Sequence, residues 1–170
     1  MEEALAKDTE AEESGLDIAG GKFLSFFLGE EEYAIEILKV QEIIGLMPIT
    51  PVPRMPAYIR GVLNLRGKIV PVMNLRLRFE LAAIEDTDET CVIVVQEDQH
   101  LMGVLVDKVS EVADIKDSQI EGVPSFGIEG NGEYLAGIGK VKESVKMIID
   151  IHKVLFDVPE EVMDSSEPTV

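Results

Sequence analysis

The chain has 170 residues, 46% of them hydrophobic, and a formal charge of −18 at pH 7. That is enough for one ordinary domain with a sizeable core, and such acidity opposes phosphate-bearing partners. No apolar run approaches the roughly 20 residues of a membrane span. The opening MEEALAKDTEAEESG is acidic where an export signal is basic and then apolar, so a cytoplasmic protein with no membrane insertion is expected.

Residues 1–20 carry seven acids and one lysine, and 157–170 carry five acids and no base, so −6 and −5 of the −18 sit at the ends. Neither end has hydrophobic periodicity. Residues 1–20 and 158–170 are therefore expected to be mobile acidic tails around one domain at 21–157. Within it, strands are expected at KFLSFFLG, EYAIEIL, GVLNL, KIVPVMNL, TCVIVVQE, HLMGVLVDKV, EYLAGIGKV and SVKMIIDI. Turn chemistry falls at 29–32, 66–67, 97–99 and 130–132. Several strands are apolar at consecutive positions, the mark of a strand covered on both faces. Short helical pieces are expected after Pro56, near Asn74 and near Asp150, the last two with a capping side chain. The fold class is mainly β.

Between Glu42 and Glu80 there is no acid, while Arg54, Arg60, Arg66, Lys68, Arg76 and Arg78 add six positive charges. An acidic protein surface or pairing within the chain suits this segment better than nucleic acid, because aromatics for stacking on bases are few. A nucleic-acid-binding β-barrel acting through residues 54–78 is the remote alternative.

The chain also resembles itself. Lys39-Val40-Gln41-Glu42-Ile43 recurs as Lys108-Val109-Ser110-Glu111-Val112, 69 residues on, and Ala34-Ile35 falls on Gly103-Val104 in that register. Tyr58-Ile59-Arg60-Gly61-Val62 recurs as Tyr134-Leu135-Ala136-Gly137-Ile138, 76 residues on, placing Val72-Met73-Asn74-Leu75 on Ile148-Ile149-Asp150-Ile151. Two halves, about 22–82 and 90–157, share one order of elements. Halves this small bury too little surface alone, and two packed together leave a groove at their junction.

Chemistry-bearing motifs are missing. Cys91 is the single cysteine; it rules out an intrachain disulfide, implies a reducing compartment and reads as a small buried hydrophobe. His100 and His152 have no zinc-ligand spacing and read as structural. There is no Walker, dinucleotide or nucleophile-elbow motif. No catalytic residue, cofactor or metal is expected.

FLSFFLGEEEYAIEILKVQEI, PAYIRGVLNLRGKIVPVMNLRLRF and EYLAGIGKVKESVKMIIDIHKVLF, in that order over about 22–157, resemble the CheW family of chemotaxis coupling proteins. The resemblance implies two pseudo-symmetric five-stranded SH3-like β-barrel subdomains. It implies a non-enzymatic adaptor between methyl-accepting chemotaxis receptors and the histidine kinase CheA, recruited to membrane-associated receptor arrays. A receptor's helical tip is expected in a groove at Val40, Ile43, Cys91, Gly103, Val109 and Val112, and the CheA regulatory domain against the barrel ends. Glu42 and Arg66 resemble a charge pair of the family. Within that class, an adaptor of a non-flagellar chemosensory pathway is the alternative. The acidic charge favours a monomer when free.

Overall fold

In a computed structural model, residues 18–123 and 134–156 are described. The expected tails, residues 18–20 apart, and the expected turn at 130–132 lie outside them, while Ile18 packs on the core and the Gly20 N–H donates to Asp117 Oδ1 at 2.5 Å. Among the described residues eleven strands form two sheets: β1 (Gly21–Leu28), β2 (Glu31–Glu36), β3 (Val40–Gly45), β4 (Ile59–Leu65), β5 (Lys68–Asn74), β6 (Cys91–Glu97), β7 (His100–Val106), β8 (Lys108–Ile115), β9 (Ile120–Glu121), β10 (Leu135–Val141) and β11 (Ser144–Ile149). Two short helices follow β5 and β11, α1 (Leu75–Arg78) and α2 (Ile151–Phe156). Asn74 Oδ1 accepts from the Leu77 N–H at 3.3 Å, and Asp150 Oδ1 from the Lys153 N–H at 3.2 Å, so both caps form as the sequence predicts.

The helical piece expected after Pro56 is absent; residues 53–54 and 57–58 are turns. Pro51 and Pro53 and the positive φ of 64° at Arg54 bar a helix before Pro56, and after it only the turn at 57–58 fits before β4 begins at Ile59. Upstream, Thr50 is bridged to Val62.

The six-stranded sheet runs β8-β1-β2-β11-β10-β9 and the five-stranded sheet β3-β6-β7-β5-β4. Each draws strands from both sequence halves, and exchanging every strand for its duplicate turns one order into the other, apart from β9. The registers obey the same exchange. Phe26 opposite Val109 corresponds to Val95 opposite Val40, and Leu24 opposite Val112 to Ile93 opposite Ile43. The parallel pairs repeat too, with Ile148 opposite Ala34 and Val72 opposite Gly103. Even the irregularities recur, between Ile59 and Gly61 and between Leu135 and Gly137. The duplication read from sequence is therefore structural.

Neither sheet closes by hydrogen bonds between its own edges. In the six-stranded sheet, residues 116–119 carry the chain from the β8 edge to β9 at the other edge, so covalent chain spans the seam of an SH3-like fold. The extra two-residue β9 makes this sheet six-stranded where five were expected.

Burial explains the consecutive apolar runs. Phe23, Ala34, Ala113, Ile115 and Ile148 fill the inside of the six-stranded sheet. Leu63, Val70, Val72, Val92, Val94 and Leu105 fill the five-stranded one. Leu24, Phe26, Tyr33, Ile35, Met73, Ile93, Val95, Val104, Val106 and Ile149 form a third, larger cluster between the sheets. In β6, Val92 and Val94 face one core and Ile93 and Val95 the other, so the strand buries both faces. At about 25 cal/mol per Å² of apolar surface, burial at that joint holds the two sheets together.

Candidate functional site

Apart from Lys39, the duplicated sequence Lys-Val-x-Glu-Ile/Val falls on β3 and β8, which are the edge strands of the two sheets. Both are reached by a crossing of the chain from one sheet to the other. A 3-10 turn, Ile37–Lys39, carries it from β2 to β3, and Asp107 alone separates β7 from β8. Asp107 holds its crossing firmly: its N–H donates to Phe27 O at 3.2 Å and its carboxylate accepts from the Gly29 N–H at 2.7 Å. Arg76 Nε and Nη2 donate to the same carboxylate at 2.9 and 2.6 Å. Burial pushes the Asp107 carboxyl up, but the Arg76 and Gly29 hydrogen bonds outweigh it and hold it below its ordinary value.

A register irregularity in each edge pairing, between Val40 and Glu42 in β3 and between the partners of Val109 and Val112 in β1, breaks strict alternation there. Val40 and Val109 are half-buried and pack on the cluster between the sheets, while Ile43 and Val112 stand 44% and 53% exposed. Cys91 is half-buried opposite Gly45, at the other end of the β3–β6 pair from Val40, and is in contact with the Val109 backbone. Burial raises its thiol, against a smaller lowering pull from that backbone hydrogen bond, so it is a protonated apolar side chain near neutral pH. Gly103 is buried in β7. A Cβ there would lie 2.7 Å from Val92 Cγ1 and 3.4 Å from Val72 Cγ2, so its small size serves sheet packing. Of the six positions the resemblance implies, two are exposed apolar residues, three are half-buried, and one is an interior glycine.

Glu42 and Arg66 meet. Arg66 Nη1 donates to Glu42 Oε1 at 3.3 Å, and Nη2 donates to Oε2 in a second, shorter bond. Arg66 sits in the β4–β5 turn at φ 50°, a left-handed position that the Gly67 N–H bond to Asn64 Oδ1 at 2.8 Å supports. The duplicate glutamate is held as well. Glu111 Oε2 lies 3.5 Å from Lys146 Nζ, and that buried ammonium also binds Glu32. Sequence reading passed over Lys146, because the duplicate of position 146 is Val70 and nothing marks a buried cation in SVKMIIDI.

The basic segment is largely neutralised within the chain. Arg60 makes a two-pronged bond to Asp86 at 3.0 and 2.6 Å, Arg66 pairs with Glu42 and Arg76 with Asp107. Arg78 is buried, stacks on Tyr58 and Tyr134 at 4.9 and 4.6 Å, and donates from Nε to Val154 O at 3.0 Å. Tyr58 and Tyr134 are duplicates, so one guanidinium bridges the two halves between α1 and α2. Arg54 and Lys68 remain exposed, too little for a phosphate-tracking surface.

The architecture and the duplicated edge strands define an interaction module of the CheW-like class. The family model for the CheW-like domain matches residues 22–158, and the chain belongs to that family. It is 42% identical over 139 residues to the chemotaxis protein CheW of Klebsiella aerogenes, covering 82% of this chain and 84% of that one. Over 134 residues it is 36% identical to CheW of Helicobacter pylori, covering 79% and 81%. The scaffolding protein TtCheW of Thermoanaerobacter tengcongensis superposes with a TM-score of 0.76 at 33% identity, covering 82% of this chain and 94% of that one. No described helix is long and apolar enough to cross a membrane.

Proposed function

We propose that this chain is a non-enzymatic chemotaxis adaptor that holds a methyl-accepting receptor and the histidine kinase CheA in one complex, so that receptor state sets kinase activity. The observation that carries the reading is the pair of equivalent exposed apolar residues, Ile43 and Val112, on the two edge strands of a CheW-like domain. An amphipathic receptor helix laid between Val40–Ile43 and Val109–Val112 would bury its apolar stripe there. Cys91 lines the floor of that groove and Gly103 acts from within the sheet. The Glu42–Arg66 pair fixes β3 against the β4–β5 turn and so sets the width of the groove. CheA's regulatory domain meets the hairpin ends, where Ile69 and Val145, duplicates of each other, are 64% and 54% exposed. In the cell the adaptor works on the cytoplasmic side, at receptor arrays.

The complex involves no bond chemistry. What the adaptor supplies is effective concentration and a coupling free energy between two binding surfaces. Titration calorimetry with a receptor cytoplasmic fragment tests the surface. Burying what remains exposed of Ile43 contributes about 1 kcal/mol and an unpaired charge there costs more, so Ile43→Asp weakens binding about tenfold or more. Val112→Asp does the same. Unchanged affinity in both variants would remove the groove from the account.

A further inference from the structure

His152 at the start of α2 meets Glu97 and Asp98 of the β6–β7 hairpin, outside the surface described above. His152 Nδ1 lies 3.3 Å from Glu97 Oε2 and 3.6 Å from Asp98 Oδ2. Among the described residues these three form the group whose ligand atoms all lie within 4.8 Å of one another. A metal bound to nitrogen and carboxylate at about 2.0–2.2 Å in a tetrahedron sets its ligand atoms about 3.3–3.6 Å apart. Both distances from His152 fall in that interval. We propose that Glu97, Asp98 and His152 form a binding site for a first-row divalent transition ion such as Zn²⁺.

The surroundings support the donor set. Lys39 Nζ binds the other oxygen of Glu97, Oε1, which leaves Oε2 turned to His152 and holds the carboxylate in one orientation, as partners behind metal ligands do. Lys39 does not cancel the local field. Glu36 and Glu97 line the same space as Lys39, and Asp98 stands beside Glu97. With Asp150 beside the same space, four carboxylates stand against one ammonium. A cavity of about 110 Å³, lined by Glu36, Lys39, Glu97, Asp150 and His152, leaves room for water in the remaining coordination position. His152 also packs on Phe156, ring centroids 4.8 Å apart, and His100 packs on that ring at 5.1 Å. The imidazole is thereby held by its neighbours. A nitrogen donor with two carboxylates selects zinc, nickel or copper over calcium and magnesium, which prefer all-oxygen sites. The ion would tie α2 to the β6–β7 hairpin.

The test uses the full chain with Co²⁺ as spectroscopic probe and Zn²⁺ as competitor, Ca²⁺ being the oxygen-preferring control. The site gives a saturable one-to-one visible Co²⁺ band that Zn²⁺ removes and Ca²⁺ in equal amount does not. Zn²⁺ also raises the thermal midpoint. His152→Ala, at a half-exposed position where folding is preserved, abolishes the band and the thermal shift, and Asp98→Asn weakens both. A Co²⁺ spectrum with thiolate character would place the ion at Cys91 and overturn the proposal. Equal binding in the wild type and His152→Ala would place it on other acids, with the same consequence. Absence of any saturable band would leave the cluster a plain ion pair.

Discussion

Gly103 can be separated into packing and binding roles by one substitution. Its duplicate, Ala34, is fully buried and carries its Cβ without strain, yet a Cβ at 103 would meet Val92 Cγ1 at 2.7 Å, closer than contacting carbons approach. Val92 is wholly buried and stiff at χ1, and Val72 and the Pro71 carbonyl close the other sides at 3.4 and 3.5 Å. The overlap has nowhere to go except into a backbone shift of β6 or β5. Gly103→Ala therefore costs about 1–3 kcal/mol by overpacking. That is a sizeable share of the roughly 5–15 kcal/mol of an ordinary domain. Val92→Ala alone leaves a void and costs about 1–3 kcal/mol, but the double variant lets the new methyl occupy the space of the old. The two changes should be non-additive in the stabilising direction by about 0.5–2 kcal/mol. Urea denaturation of the four proteins, with equal m-values, measures the cycle. Strict additivity, or a Gly103→Ala variant of wild-type stability that loses receptor affinity, would refute the packing argument and make Gly103 a contact residue.

Asp107 has its carboxyl held below the ordinary value near about 3.9. A depressed folded value contributes stability above the unfolded value and loses it as pH falls through the folded one. The wild type should thus exceed Asp107→Asn in denaturation midpoint at pH 6 to 7, with the gap closing below about pH 4; a gap independent of pH would show that charge is not the cause. Glu42→Arg should impair receptor coupling, and the Glu42→Arg/Arg66→Glu exchange should restore part of it; a double variant no better than either single would dissolve the pair's role. The Cys91 thiol, raised by burial, should alkylate slowly near neutral pH and more slowly still with a receptor fragment bound. Unaltered alkylation in the complex would take Cys91 out of the covered surface.

How far the sequence discloses this molecule depends on how each strand is buried. The runs TCVIVVQE and KFLSFFLG are legible because β6 and β1 serve two cores at once, leaving no polar face to interrupt the pattern. By contrast, β3 is half-exposed at alternate positions along an edge, and its VQEIIG carries too weak a signal to stand as a strand on its own. HLMGVLVDKV reads as one strand but is divided at Asp107, because the chain leaves one sheet for the other there. Local propensity holds no record of a crossing. The repeat does: Lys39–Ile43 and Lys108–Val112 mark β3 and β8 as equivalent. The Glu42–Arg66 contact became visible through family resemblance. Glu111–Lys146 and the Glu97–Asp98–His152 cluster did not, since their members lie far apart in sequence and only the fold brings them together.

The most direct test of the central claim is reconstitution. Purified chain, a cognate CheA and a receptor cytoplasmic fragment are combined, and kinase autophosphorylation is followed with and without receptor ligand. The account predicts that ligand controls the kinase only when the chain is present, and that Ile43→Asp or Val112→Asp abolishes this control in a folded protein. Ligand-controlled kinase activity without the chain, or full control with both edge strands altered, would contradict it.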